Sequence, residues 1–276
     1  MVRRNFILGT GDIVMNEKTK ESLNQGSDDY YKSEKAKLRL SIIEDDPTRA
    51  FPNDIYAMIK KSFPDLAGKR ICVPACGDNI AVFAFHLLGA KLTASDISER
   101  QIYNAKQIAD EKKWDIEYLC EDNMNFGKIK NDEFDLVYTS RGVFMWISDL
   151  TAMFRNFRRV LKTGGKYILF ETHPINRLLV YDRKFELKPE KPYNELKCKW
   201  SPHDWNDWRT QDIINSLLNA GFILTGIEEA HAKAGDLDAW WYTSFEDADA
   251  DNNKKFDWQI NPEAALPQYL GLTAVK

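Results

Sequence analysis

Apolar and polar residues change their periodicity several times along the chain. Short apolar runs typical of buried strands occupy residues 69–74, 91–96, 115–120, 134–139 and 166–172. Between these runs, apolar residues recur at three- and four-residue spacing, which predicts helices over residues 80–88, 98–112 and 148–161. Strands that alternate with helices predict an α/β fold, in which right-handed crossovers join the strands of a mostly parallel sheet.

Capping residues and turns complete this pattern. Ser98 and Gln101 fit a capping box at the start of the second predicted helix. The alternation is interrupted between residues 174 and 202, and it resumes at Thr210, which is expected to cap another helix. Two further runs bring the predicted strands to seven, at residues 222–227 and 266–275.

The net charge and the cysteine spacing indicate which binding partners and which cellular compartment to expect. The 276 residues include 38 Lys and Arg against 42 Asp and Glu, for a net charge of −4. This balance gives no general attraction for nucleic acid or an anionic membrane surface. No apolar run is long enough to span a bilayer, and the four cysteines show no Cys-x-x-Cys spacing. With no secretory signal pattern at the N-terminus, we expect a soluble cytoplasmic protein.

The residues after the first predicted strand carry the clearest indication of chemistry. Residues 75–79, Ala-Cys-Gly-Asp-Asn, stand directly before a helix, at the edge where open α/β sheets bind ligands. Asp96 ends the second strand about 20 residues after Gly77, where a carboxylate can accept both hydroxyls of a ribose. A dinucleotide site needs three glycines, whereas this loop has one and adds Asp78, which would repel a pyrophosphate. A ligand with a ribose, an adenine and a zwitterionic or cationic tail fits better, and S-adenosylmethionine is such a ligand.

The chain resembles the class I S-adenosylmethionine-dependent methyltransferases in the order and spacing of its motifs. The first motif of that family is acidic-x-Gly-x-Gly-x-Gly, and residues 73–79 keep only its middle glycine. Their Cys-Gly-Asp-Asn form resembles a variant found in bacterial small-molecule methyltransferases. The later motifs follow in family order at 96–97, 121–124, 134–140 and 161–166. The resemblance covers residues 28–63, 69–174, 205–229 and the last strand.

This resemblance implies a fold and a division of the chain. The sheet would have seven strands in the order 3-2-1-4-5-7-6, with strand seven antiparallel. Residues 1–68 would form an N-terminal helical cap, and residues 69–276 the methyltransferase domain that binds the cofactor. Lid segments would lie at about residues 174–203 and 231–262.

The same resemblance implies which residues contact the cofactor. Asp96 would bind the ribose and Asp122 the adenine amino group, while Ile97 and Met124 would pack on the adenine ring. The strand-four exit would face the methionine end, and the N-terminal helix would lie over the cofactor. The complete predicted set is Tyr31, Ala75, Cys76, Gly77, Asn79, Asp96, Ile97, Asp122, Asn123, Met124, Ser140 and Arg141.

The sequence indicates the residues on the acceptor side of the site less clearly than those that contact the cofactor. Glu171 and His173 lie at the exit of the fifth strand and are the candidates for a catalytic base. Glu171 could instead satisfy backbone groups, and His173 could instead support the loop before Pro174. Six of the eight tryptophans lie after residue 199, where they could line an acceptor pocket or form the core of a cap. Neither the histidines and cysteines nor the acidic run 247–251 has the spacing of a metal site, so no metal is expected.

These observations predict a methyltransferase that moves a methyl group from S-adenosylmethionine to a small molecule by direct displacement. A non-catalytic domain that binds the same cofactor is the alternative, because the first motif departs from the family pattern. An oxidoreductase that uses a nicotinamide cofactor is less favoured, since the glycines for a pyrophosphate are missing. The sequence leaves open the acceptor, the atom that is methylated and the oligomeric state.

Overall fold

A seven-stranded sheet organises the chain. The computed structural model describes residues 10–181, 187–189, 191–196, 205–233, 236 and 256–276. Nine strands are assigned in this part of the chain: β1 (Arg70–Pro74), β2 (Lys91–Asp96), β3 (Ile116–Cys120), β4 (Phe134–Thr139), β5 (Leu161–Thr172), β6 (Leu179–Tyr181), β7 (Leu187–Pro189), β8 (Ile223–Ala230) and β9 (Tyr269–Val275). The main sheet has the order β3-β2-β1-β4-β5-β9-β8, and β6 pairs only with β7.

The strand order confirms the predicted architecture. Counted within the main sheet, β8 is the sixth strand and β9 the seventh, so the order is 3-2-1-4-5-7-6. Strands β1 to β5 pair in parallel, and β9 runs antiparallel to both of its neighbours. The order reverses on the two sides of β1, which places a ligand-binding crevice beyond its carboxyl end.

The helices lie before the sheet or between its strands. Three precede the sheet, namely α1 (Thr10–Lys32), α2 (Glu34–Asp45) and α3 (Asn53–Ser62). Four connect its strands, namely α4 (Ile80–Leu87), α5 (Glu99–Lys112), α6 (Leu150–Val160) and α7 (Thr210–Asn219). No helix in the described ranges has the length and apolar character needed to cross a membrane.

Each face of the sheet is covered by its own apolar core. Along β5, Ile168 and Phe170 point into a core shared with α2, α3 and α4, while Tyr167 and Leu169 point into a core shared with α6 and α7. This alternation follows from the two-residue period of a strand. Because both faces are buried, the central strands contain few polar side chains before they reach their carboxyl ends.

Several predicted boundaries shift by a few residues. Ser98 caps α5 by accepting a hydrogen bond from Gln101 N, as predicted. For α7 the predicted cap was wrong, because Arg209 is the N-cap residue and Thr210 is already helical. The side chain of Asp212 binds Arg209 and thereby closes that first turn. The predicted lid segments are described only in part, at residues 174–181, 187–189 and 191–196 of the first and residues 231–233, 236 and 256–262 of the second.

Glu263 is a buried acid whose ionisation makes the stability of the fold depend on pH. Glu263 lies in a short 3₁₀ helix just before β9 and is only 8% exposed. Burial raises the pKa of its carboxyl group from 4.5 to about 7. Between these two values the folded protein keeps a proton that the unfolded chain releases, so this group lowers stability as the pH rises through that window.

We therefore expect Glu263→Gln to gain stability relative to the unmodified protein as the pH rises from about 4.5 to about 7, with a constant difference above that range. Thermal unfolding followed across this range measures the effect. Glu111→Gln, an isosteric change at an exposed position of α5, is the control. A stabilisation by Glu263→Gln that does not change with pH would contradict the assignment.

Candidate functional site

A cleft opens at the carboxyl ends of β1, β2 and β4, where the strand order reverses. Its volume is about 700 Å³. The walls come from the loops after four strands and from α1. The lining residues are Leu23, Ala75, Gly77, Asp96, Ile97, Asp122, Asn123, Met124, Arg141, Gly142, Val143, Trp146 and Ile147.

Asp96 is the acidic centre of this cleft. It is the last residue of β2 and only 4% exposed, and burial raises the pKa of its carboxyl group. The backbone N–H of Gly77 donates to Oδ2 at 3.1 Å, and the N–H of Ser98 donates to Oδ1 at 2.9 Å. A carboxylate has about four acceptor positions, so two backbone bonds fix its orientation and leave capacity for a ligand.

The loop between β1 and α4 has an unusual backbone. Ala75, Gly77 and Asn79 all have positive φ angles, of 49°, 50° and 61°. These are the three positions that carry glycine in the family motif, and Ala75 and Asn79 adopt the left-handed conformation without being glycine. The loop therefore keeps the shape that the motif needs although two glycines are replaced.

Helices α1 and α2 hold this loop through hydrogen bonds and an ion pair. The hydroxyl of Tyr31 donates to the carbonyl oxygen of Gly77 at 3.1 Å and accepts from Asn79 Nδ2 at 2.9 Å. Arg39 of α2 forms an ion pair with Asp78 and donates to the hydroxyl of Tyr30 at 3.0 Å. Burial opposes ionisation of Asp78, but the charge and hydrogen bond of Arg39, the backbone N–H of Ile80 and the charge of Arg141 together outweigh it and lower the pKa of that carboxyl group.

Helix α1 is joined to α5 mainly by polar contacts. Arg100 binds both carboxylate oxygens of Asp28, at 2.6 and 2.7 Å, and Asn104 donates to Asp28 at 2.7 Å. The side chain of Asn24 accepts from the hydroxyl of Ser98 at 2.6 Å. These contacts bring Leu23 of α1 to the wall of the cleft.

The loop after β3 contributes Asp122, Asn123 and Met124 to the cleft wall. Asp122 Oδ1 accepts from the backbone N–H of Met124 at 2.9 Å. Asn123 is 7% exposed, and its Oδ1 is buried away from the open cleft with no hydrogen-bond partner among the described residues. Ile97 and Met124 provide apolar surface beside this loop.

A second cleft of about 650 Å³ lies on the other side of the first loop. It shares Ala75, Gly77 and Arg141 with the first cleft. Further lining residues are Arg39, Ala50, Cys76, Asp78, Ile80, Ala81, Tyr138, Ser140 and Phe170. Ten of the twelve predicted cofactor residues line one or both clefts, and Tyr31 and Asn79 contact Gly77 between them.

The structure does not bring Glu171 into either cleft. This side chain is 2% exposed and faces backbone groups. It accepts from the N–H groups of Gly142 at 2.7 Å, Val143 at 3.2 Å, Phe144 at 3.4 Å and Thr172 at 2.8 Å. This arrangement favours the structural alternative for Glu171, in which it holds the loop after β4.

His173 is likewise occupied by its neighbours. Its Nδ1 accepts from the N–H of Ile175 at 3.2 Å, which assigns the ring proton to Nε2, and Nε2 lies 2.9 Å from Glu229 Oε1. The residue is 7% exposed and lines neither cleft. These contacts favour a role in shaping the turn after β5.

The cleft wall within residues 142–147 was not predicted from the sequence. Gly142, Val143, Trp146 and Ile147 line the first cleft, and their position directly after β4 is the feature that could have indicated it. Trp205 packs edge-on against Trp146, with ring centroids 5.3 Å apart. Three of the C-terminal tryptophans, Trp200, Trp240 and Trp241, lie outside the described residues.

The contacts of Tyr31 with the first loop can be tested directly. We expect Tyr31→Phe to lower the free energy of unfolding by about 1–2 kcal/mol, because two hydrogen bonds are lost. Urea denaturation measures this change. Tyr103→Phe is the matched control, since Tyr103 is 52% exposed on α5. Equal stability of the two variants would contradict a role for Tyr31 in holding the loop.

Comparison with known proteins finds a matching domain in the middle of the chain. Residues 73–169 match the family model described as a methyltransferase domain. The ubiquinone biosynthesis O-methyltransferase of Bradyrhizobium sp. (strain ORS 278) is 28% identical over 66% of both chains. That of Xanthomonas oryzae pv. oryzae (strain PXO99A) is 30% identical over 38% of this chain and 44% of the relative. The chain thus spans about half the length of several of the curated relatives it matches.

Solved structures share the fold at low sequence identity. An S-adenosylmethionine-dependent methyltransferase from Mesorhizobium loti is 21% identical, with a TM-score of 0.58 over 80% of this chain and 97% of the other. Geranyl diphosphate C-methyltransferase from Streptomyces coelicolor A3(2), solved with S-adenosyl-L-homocysteine, is 16% identical, with a TM-score of 0.53 over 80% and 78% of the two chains. Residues 73–169 thus match a methyltransferase domain, and the chain shares the fold of these solved methyltransferases.

Proposed function

We propose that the protein transfers a methyl group from S-adenosylmethionine to a small-molecule acceptor by direct displacement. The observation that carries this proposal is the placement of Asp96. Its buried carboxylate is oriented by two backbone N–H groups at the end of β2, within a cleft at the switch point of the sheet. When bound, the cofactor supplies a methyl group on a positively charged sulfur that is already a good leaving group.

The residues of the two clefts divide between the parts of this cofactor. Asp96 would accept from the ribose hydroxyls, and Asp122 from the adenine amino group. Ile97 and Met124 would flank the adenine ring. The first loop, with Ser140 and Arg141 at the β4 exit, would hold the methionine end. Cys76 belongs to that loop and lines the second cleft.

The remaining work of the protein is alignment and exclusion of water. Glu171 holds residues 142–144 through their backbone N–H groups, and these residues form part of the cleft wall. Helix α1 covers the same cleft with Leu23. We propose on this basis that residues 1–68 act as a helical cap on a cofactor-binding domain formed by residues 69–276.

We further propose that the acceptor is a hydroxyl oxygen of a small molecule. The hydroxyl gives up its proton to solvent, and its oxygen attacks the methyl carbon as the carbon–sulfur bond breaks and S-adenosylhomocysteine leaves. The names of the curated relatives, which are O-methyltransferases, support this choice. The net charge of −4 supports a small acceptor over a nucleic acid. The Cys-Gly-Asp-Asn form of the first motif agrees with the small-molecule type that it resembles.

A non-catalytic domain that binds S-adenosylmethionine is the second candidate. The observation in its favour is that both predicted bases, Glu171 and His173, are committed to structural contacts away from the clefts. Incubation with S-adenosylmethionine and a panel of phenols and alcohols separates the two candidates. Formation of S-adenosylhomocysteine and a methylated product supports the enzyme, whereas binding without product from any acceptor supports the second candidate.

The cofactor site is tested by calorimetric titration of S-adenosylhomocysteine. We expect micromolar binding to the unmodified protein and a loss of about 1.5–3 kcal/mol in Asp96→Ala, because hydrogen bonds to a charged acceptor are removed. This corresponds to about a 10- to 150-fold weaker affinity.

Asp110→Asn provides the control, since Asp110 is an exposed acid on α5 that pairs with Lys106. It is expected to bind like the unmodified protein. If the unmodified protein shows no binding, the proposed function fails. If Asp96→Ala and Asp110→Asn bind equally well, the ribose role of Asp96 fails.

A further inference from the structure

The wall of the first cleft is held through its backbone from two directions. On one side, Glu171 accepts from the N–H groups of residues 142–144. On the other side, Asn206 Nδ2 donates to the carbonyl oxygen of Ile147 at 3.1 Å, and Trp208 Nε1 donates to the same oxygen at 3.0 Å. The position of the wall therefore depends on a segment that arrives more than 50 residues later in the chain.

A chain of buried charges connects these two supports. Glu171 lies beside Arg177, Arg177 lies beside Asp207, and Asp207 forms an ion pair with Lys191. The side chains of Glu171, Asp207 and Lys191 are 2%, 4% and 3% exposed, and Arg177 is 17% exposed. Two positive and two negative groups alternate, so the chain is neutral as a whole. Removal of one member leaves an unbalanced buried charge.

Arg177 is shared between two carboxylates. Its guanidinium nitrogens lie 3.6 Å from Glu171 Oε1 and 3.9 Å from Asp207 Oδ1. Both distances allow electrostatic attraction but exceed the length of a normal hydrogen bond. Glu171 instead makes its short hydrogen bonds to backbone N–H groups, at 2.7 Å from Gly142 and 2.8 Å from Thr172.

This geometry has a mechanical consequence. A guanidinium that closed fully on Glu171 would form a bidentate pair and use the acceptor positions that now hold the backbone of residues 142–144. Asp207 attracts Arg177 from the opposite side and opposes that movement. The neighbour of Asp207 in sequence, Asn206, holds the other end of the wall at the same time.

We propose that Asp207 is a positioning residue for the cofactor cleft, because it keeps Arg177 off Glu171 and so lets Glu171 remain on the backbone of residues 142–144. The inference rests on the proposed function for its ligand. With Asp207 in this role, the shape of the cleft depends on residues 205–208. These residues follow the predicted lid segment 174–203, which is expected to contact the acceptor.

The test uses four variants of the full chain. Asp207→Asn leaves Arg177 free to close on Glu171, so we expect S-adenosylhomocysteine to bind about tenfold more weakly, a change of about 1.4 kcal/mol. Arg177→Met removes the guanidinium that could take the acceptor positions of Glu171. This variant is expected to bind S-adenosylhomocysteine with an affinity within about threefold of the unmodified protein. The combination Asp207→Asn/Arg177→Met restores charge balance and is expected to recover the affinity lost in Asp207→Asn. If charge balance alone mattered, Lys191→Met/Asp207→Asn would also recover the affinity, because Glu171 and Arg177 then balance each other. Our proposal predicts that this variant still binds weakly, and recovery in it would overturn the proposal.

Hydrogen exchange supplies a measurement that needs no ligand. Peptides that cover residues 141–147 are expected to exchange faster in Asp207→Asn and to recover protection when Arg177→Met is added. Asp110→Asn is the control, because Asp110 is an exposed acid that pairs with Lys106 on α5, away from the segment that holds the wall. That variant is expected to leave exchange in residues 141–147 unchanged.

A failure of the positioning role can be distinguished from a failure of the proposed function. If the unmodified protein binds no S-adenosylhomocysteine but the exchange pattern follows this expectation, the positioning role stands and the proposed function fails. If the unmodified protein binds the ligand and Asp207→Asn changes neither affinity nor exchange, the positioning role fails alone. Should Asp207→Asn not fold, Lys191→Met/Asp207→Asn keeps the buried charges balanced and is expected to show the same faster exchange.

Discussion

The carboxylate at the end of β2 connects the parts of the structure that form the site. Asp96 accepts from Gly77 in the loop after β1 and from Ser98 at the start of α5. One buried side chain therefore fixes the relative position of two strands, a loop and a helix. Because an unpaired carboxylate would be costly at this depth, these two backbone bonds are a condition for the fold as much as for ligand binding.

The helices before the sheet extend this arrangement over the cleft. Tyr31 and Arg39 bind the loop that Asp96 holds from below, so the loop is fixed on both sides. The ion pair with Arg39 also changes the electrostatic argument about Asp78. A free carboxylate in this loop would repel an anionic ligand, but the adjacent guanidinium largely neutralises it.

Much of the fold could be predicted because its determinants are local or shared with a known family. The alternation of strand and helix patterns depends on nearby residues, and the strand order follows from the family that the motifs resemble. The predicted cofactor residues stand at strand ends, where the topology brings them together. The division at residues 68 and 69 and the individual cofactor contacts stay predictions.

Other features depended on distant contacts that no local pattern reveals. Glu171 stands where an acceptor-side base would be expected, but the backbone of residues 142–144 occupies it. His173 is similarly engaged by Glu229, which lies on a different strand. The cap of α7 was misplaced by one residue because Arg209 is an uncommon capping residue, whose place depends on the acid three residues later.

The backbone of the first loop affects how ready the site is before any ligand arrives. A loop with three glycines samples many conformations, and this freedom is lost when the loop is ordered. Ala75 and Asn79 have fewer conformations available, although each pays about 1–2 kcal/mol for the left-handed geometry. The side chain of Asn79 offsets part of this cost by donating to Gly77 O at 2.8 Å. The loop is thus preorganised. Its strained backbone conformation is already formed when the protein folds, so less conformational entropy is lost when a ligand binds.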